Sequence, residues 1–272
     1  MLHMKKLGIY AILIIGALVM MFPFIWMVLS ALKGADEVLS MPPTWLPETF
    51  RFDNFAKALQ TAPFAKYFIN SVIVTVCVVG LTTFTTILAA FAFSRLKFPG
   101  RDIVFTFFVS LMMVPWEMLV ITNYTTMSDL NLLDSLPALI VPFTASIFYT
   151  YILRNFFLSI PDALYYSARI DGASNWQYLW KIMVPIAKPA IFTITLLNAI
   201  AAWNSFLWPL LVISSSANRT LPLGLYVFIT EGGVKYELLT AAATIVIIPI
   251  LILFLFTKKY IIAGTARGGV KG

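Results

Sequence analysis

From Leu7 to Leu32 the only interruption of an apolar run is Ser30, and five further runs of the same kind follow over residues 67–94, 102–122, 136–153, 190–213 and 238–257. A helix crosses a bilayer core with about 20 apolar residues. Lipid offers the backbone no hydrogen-bond partner, so each run must bond internally as a helix. With 60% of residues hydrophobic and 11% charged, the chain cannot fold this surface inward. The reading is an all-α integral membrane protein with six transmembrane helices in one domain, 1–272, and no soluble domain. The first run exceeds the roughly 7 to 15 residues of a signal-peptide core and lacks a small-x-small cleavage site, so it reads as a retained span.

Six spans place both termini on one side, and the basic residues indicate which. That side carries Lys5, Lys6, Arg95, Lys97, Arg101, Arg154, Arg169, Lys181, Lys188, Lys258, Lys259, Arg267 and Lys271, 13 in all, against six opposite, Lys33, Arg51, Lys57, Lys66, Arg219 and Lys235. By the positive-inside rule both termini are cytoplasmic. The net charge of +7 is then a consequence of topology, and no nucleic-acid partner is needed. The opposite face receives the proline-marked connector 33–66, with a short helix expected over Asp53–Gln60, and the segments 123–135 and 214–237.

Between the fourth and fifth runs lies a polar island, residues 158–189. Ser159, with Asp162 three residues on, signals a helix start, and Ala163–Ile170 suits two helical turns. Asp171-Gly172 breaks it. Ser174 and Gln177 have capping-box spacing for a second helix, which Pro185 should stop before Pro189 opens the next span.

The run Ser167-Ala168-Arg169-Ile170-Asp171-Gly172-Ala173-Ser174, with Pro161 ahead and Pro185 and Pro189 behind, resembles the "EAA" cytoplasmic loop of binding-protein-dependent ABC importer permeases. Trp203-Asn204, Trp208-Pro209-Leu210 and the end Gly269-Val270-Lys271-Gly272 also fit the carbohydrate-uptake branch, similar to the smaller permease subunit of the maltose system. The resemblance implies a MetI-like type I importer core in the bacterial cytoplasmic membrane. It further implies a second homologous permease, two ATPase subunits carrying ATP and Mg, an extracytoplasmic solute-binding protein, and a carbohydrate solute, an oligosaccharide. A permease for glycerol phosphate or another polyol derivative is the nearest alternative.

By this resemblance Pro161, Tyr166, Ser167, Ala168, Asp171, Gly172, Ala173 and Pro185 form the coupling element that docks into an ATPase subunit. The tail 258–272 is basic, and its last four residues, Gly269 to Gly272, are implied to reach the ATPases. One departure stands out: Tyr166 occupies the position of the family's glutamate, and Ser167 its first alanine.

The chain's own chemistry is sparse. No Gly-x-x-x-x-Gly-Lys-Ser/Thr loop occurs, so no cofactor and no ATP hydrolysis are expected of this subunit. His3 is the only histidine and Cys77 the only cysteine, which leaves neither a metal cluster nor a disulfide. A proton-coupled secondary transporter is the alternative of another class, supported only by Glu117, the one acid well inside an apolar run. Glu117 reads either as lining a solute cavity or as lying near the outer interface.

Two helical faces collect polar groups. Ser71, Thr75, Thr82, Thr85, Thr86 and Ala89 fall on one stripe of the second span, and Thr195, Asn198, Ala202 and Ser205 on one of the fifth. Each suits either a solute path or close helix packing. Asn198, Asn204 and Trp203 are the path candidates, while Trp203 and Trp208 have the position of interfacial indoles.

Overall fold

The computed structural model describes residues 2–230 and 233–268, without the side chains of residues 2–5, 7 and 257–268. Gly269, Val270, Lys271 and Gly272, the expected ATPase-contacting end, lie outside the described residues. Helices dominate, and the described strands are two two-residue segments, Ile229–Thr230 and Gly233–Val234, paired antiparallel.

Three unbroken helices have the length and apolarity to cross a membrane, over Gly8–Ala31, Phe64–Arg95 and Tyr236–Phe256. Three bent pairs bring the number to six if each pair is one span: Arg101–Met113 with Trp116–Asp129, bent by 99°; Leu136–Phe143 with Ile147–Leu158, by 43°; and Asn175–Ile186 with Lys188–Trp203, by 80°. The breaks correct the picture of six continuous runs. In the third run Pro115 has an extended backbone, ψ 139°, and becomes the N-cap of a new helix rather than a kink within one. The fifth run also divides. Its helix ends at Trp203, and a separate helix, Leu207–Val212, follows. The last helix continues to Gly268, so the segment expected as a tail from residue 258 begins helically.

The chain separates into two compact units, Met1–Lys66 with Leu221–Leu251, and Tyr67–Thr220 with Ile252–Gly272. In the first, the connector after Leu2–Ala31 is ordered by Asn54, whose Nδ2 donates to the carbonyls of Ala31 at 2.9 Å and Lys33 at 2.8 Å. Lys33 is buried there, its ammonium 4.6 Å from the Trp26 ring centroid and bonded to the Thr44 carbonyl. The expected short helix is present as Asp53–Thr61.

The second unit is organised on the Phe64–Arg95 helix. Two hydroxyls of the stripe on this helix, those of Thr82 and Thr85, serve packing, while Thr75 Oγ1 and Thr86 Oγ1 are buried without a partner among the described residues. Thr82 Oγ1 donates to the Phe143 carbonyl and Thr85 Oγ1 to that of Thr144 at 2.7 Å, where the fourth span is broken. A break frees carbonyls that lipid cannot bond, and these hydroxyls satisfy them. The main core, formed by Ile87, Phe91, Leu153, Phe157, Tyr178, Met183 and their neighbours, lies around the foot of the same helix and includes the polar island.

Candidate functional site

The island folds as two short helices around a glycine elbow. Asp162–Ile170 begins after Pro161, which takes the N-cap position without a side-chain bond. Ser159 does not cap it, contrary to the sequence expectation. Its Oγ donates back to the Phe156 carbonyl at 2.7 Å and so finishes the preceding helix, because the rigid Ile160-Pro161 step separates it from the new one.

The elbow is a Schellman motif. Ala173 N–H donates to the Ala168 carbonyl at 2.9 Å and Gly172 N–H to that of Arg169 at 3.2 Å, with Gly172 at φ +82°. A side chain at Gly172 would meet no neighbour within 4 Å, so only backbone strain selects glycine here, about 1–2 kcal/mol for an L-residue. Arg169 Nη1 closes the turn on the Ala173 carbonyl at 2.9 Å.

The second helix starts with the capping box that the spacing predicts. Ser174 Oγ accepts from Gln177 N–H at 3.2 Å, and Gln177 Oε1 accepts from Ser174 N–H at 2.8 Å. Pro185 does not stop this helix. A π turn over Leu179–Met183 widens the helix just before it, where the proline ring would otherwise meet the Lys181 carbonyl, and the helix ends at Ile186.

Burial divides the loop's residues into two sets. Ala168, Tyr178, Leu179, Met183 and Ala187 are buried in the core of the second unit. Each large one is worth roughly 1.5–3 kcal/mol of burial, which fixes the loop to the body. Facing outward are Pro161, Leu164, Tyr166, Ser167, Asp171, Gly172 and Pro185, with Ile170 86% and Trp176 58% exposed. Ala168 therefore positions the loop and is not part of its outer face. Ala173 is half-buried at the elbow. Tyr166 lies exposed against Tyr165, whose own hydroxyl donates to Asn175 Oδ1 at 2.9 Å and whose ring meets Tyr178 at 5.0 Å.

The second candidate region is a cavity in the second unit, lined by Val74, Val78, Phe143, Asn198, Trp208 and Thr220 among others. Asn198 is buried, and its Nδ2 has no partner among the described residues; the same holds for Thr220 Oγ1. Ser205 also borders the space, although it lies past the end of the helix at Trp203 and not on the continuous helical face expected of it. Trp208 is buried rather than interfacial, its Nε1 donating to the Ala138 carbonyl at 2.9 Å. Asn204 is exposed and caps its own helix, Nδ2 donating to the Ile200 carbonyl at 2.9 Å. Trp203 packs on Phe68 at 5.9 Å, away from the cavity lining. Glu117 is exposed in the first turn of Trp116–Asp129, where a carboxylate suits the helix dipole, and does not line the cavity.

Sequence reasoning missed Arg95, which it read only as part of a basic loop. It also missed Asp134, whose Oδ1 accepts from Ser214 N–H, Ser215 N–H and Ser215 Oγ and so ties residues 131–135 to 213–218. Burial raises the Asp134 pKa, but the bonds from Ser215 and Ser214 outweigh it and hold the carboxyl below its ordinary value.

Residues 82–266 match the family described as binding-protein-dependent transport system inner membrane component. An arabinooligosaccharides transport system permease protein of Bacillus subtilis is 33% identical over 259 residues, covering 94% of this chain and 92% of the relative. A diacetylchitobiose uptake system permease protein of Streptomyces coelicolor is 33% identical over 260 residues, covering 93% and 92%. Among solved structures, a bacterial ABC transporter involved in import of the acidic polysaccharide alginate aligns with TM-score 0.82 at 26% identity, covering 95% of this chain and 96% of that one.

Proposed function

Because the chain belongs to the family of inner membrane components of binding-protein-dependent transport systems, we propose that it is the permease subunit of an ATP-driven importer for an oligosaccharide, worked through its cytoplasmic loop by separate ATPase subunits. The observation that carries the coupling role is the loop's construction. A helix closed by a Schellman elbow and a second helix opened by a capping box are anchored by a buried set of side chains while Tyr166, Ile170 and Trp176 stand out from the surface. A stiff element with an exposed apolar tip can receive a push and pass it on.

Its partners in this reading are a second permease of the same kind, two ATPase subunits that bind ATP and Mg, and an extracytoplasmic solute-binding protein. Both termini and the loop face the cytoplasm, which the distribution of basic residues supports. ATP must bind the closed ATPase pair more tightly than the open one, so that closure draws the loops together and shifts the permease toward its outward-open state. The subunit itself contributes no phosphate-binding loop and takes its energy from its neighbours.

The carbohydrate assignment draws on what the arabino-oligosaccharide and diacetylchitobiose relatives are named for, together with the cavity at Asn198. Its polar groups, Asn198, Ser205 and Thr220, are neutral, which suits sugar hydroxyls better than the phosphate of a glycerol phosphate. Reconstitution with the cognate partners tests the reading. ATP-dependent uptake of a neutral oligosaccharide is expected. Uptake that continues without ATPase subunits but collapses with the proton gradient would replace it with secondary transport.

A further inference from the structure

Arg95 ends the Phe64–Arg95 helix, yet its side chain is only 4% exposed. An arginine at a membrane face ordinarily extends its head to water. Here Nη2 donates to the carbonyls of Phe157 at 2.7 Å and Ile160 at 2.5 Å, and Nη1 to Asp162 Oδ1 at 2.6 Å. Phe157 lies in the last turn of Ile147–Leu158, a helix end that favours a cation, and Asp162 in the first turn of the loop helix. One guanidinium thus joins the foot of the second span, the foot of the fourth and the entry to the loop. The planar fork reaches three acceptors in fixed directions, which a lysine ammonium on its flexible stem does not reproduce. Asp162 is 68% exposed, so water competes for that arm and not for the carbonyl pair.

We propose that Arg95 is a positioning residue for transport, clamping the cytoplasmic loop to the Phe64–Arg95 and Ile147–Leu158 helices so that a displacement of the loop moves those helices. The inference rests on the loop being the coupling element. Without the clamp the loop would still be held by its buried apolar side chains, and would still bind its partner, but would rock on its own. The buried carbonyl contacts are the permanent part of the clamp, and the exposed Asp162 arm is the part that can open during the cycle.

The test uses the complete transporter in proteoliposomes with Arg95→Lys, Arg95→Gln, Asp162→Asn and, as a control on the loop, Ile170→Asp. The readouts are ATPase subunit retained, ATP hydrolysed and solute imported. For both Arg95 variants the clamp predicts partner retention and hydrolysis within about twofold of wild type, with import down at least about tenfold, so that ATP used per solute rises by that factor. Asp162→Asn should raise the ratio about two- to threefold. Should Arg95→Gln not accumulate, Arg95→Lys, which keeps the charge, must still show the raised ratio. Hydrolysis and import falling in proportion, or a ratio unchanged in Arg95→Lys while Ile170→Asp uncouples, would overturn the clamp alone. Full activity of Ile170→Asp would instead remove the coupling reading beneath it.

Discussion

At the loop over residues 158–189 the turn-forming backbone groups are bonded and an apolar tip, Ile170 and Trp176, stands outside, while Trp180 Nε1 and Arg95 Nε lie buried behind it without a partner among the described residues; around Asn198 a mostly apolar wall encloses Asn198 Nδ2 and Thr220 Oγ1, likewise without a partner among the described residues. A polar group left unpaired in a dry interior costs about 1–3 kcal/mol, and the regions differ in where such groups lie, behind a packed surface at the loop and on the wall of a cavity at Asn198. The loop presents a surface. The cavity has unspent hydrogen-bonding capacity, held by Asn198 and Thr220. Protein docking suits the first arrangement and a hydroxylated solute the second.

The largest expected effect comes from breaking the loop's geometry without touching its chemistry. Gly172→Val forces a β-branched residue into φ +82°; ATP-driven uptake should fall at least about tenfold while the amount of membrane-inserted subunit changes less than about twofold. Gly172→Asn, which tolerates the left-handed region, should retain most activity. Uptake unaffected by valine would show that the elbow's shape is irrelevant.

Next comes the cavity. Asn198→Leu replaces the unpaired amide by an apolar group of similar size, and should lower solute uptake several-fold with ATPase activity retained and thermal stability unchanged or raised. A drop in stability without a change in transport would make Asn198 a packing residue only.

Smaller effects test how rigidly each region is held. Ser174→Ala removes one arm of the capping box, an expected loss of about 1 kcal/mol of helix stability, read as faster hydrogen exchange confined to residues 174–178. Asp134 sets a pH dependence in the region that joins residues 131–135 to 213–218. Its carboxyl titrates below the ordinary value near 3.9 when folded, so its stabilisation is fully present above that pH and is lost as pH falls through the lowered folded value. The stability difference between wild type and Asp134→Asn should accordingly be constant at neutral pH and shrink only in strong acid. A difference that instead changes between pH 6 and 8 would point to another group.

The helical class was legible because lipid imposes one solution on a long apolar run, and the elbow because Ser174, Gln177 and Gly172 act within a few residues of each other. The failures share a cause: they depend on partners distant in sequence. Arg95 reads as one more basic residue on the cytoplasmic side until the Phe157 and Ile160 carbonyls arrive beside it. Pro115 marks an interruption in the third apolar run, and the size of the break, 99°, emerges only in the fold. Asn204 and Asn198 looked equivalent on one helix, yet the end of that helix at Trp203 turns Asn204 into a cap and leaves Asn198 at the cavity. Ser159 stood at helix-start spacing, but the previous helix claimed its hydroxyl.

The account stands on the loop being gripped from the cytoplasmic side by an ATP-hydrolysing neighbour. A photo-crosslinker on Ile170→Cys, in a Cys77→Ser background and within the assembled transporter, tests this directly. The expected product joins this chain to the ATPase subunit, with a yield that changes when ATP binds. Labelling of that cysteine by a membrane-impermeant reagent from outside the cell, or no crosslink to any ATPase subunit, would contradict it.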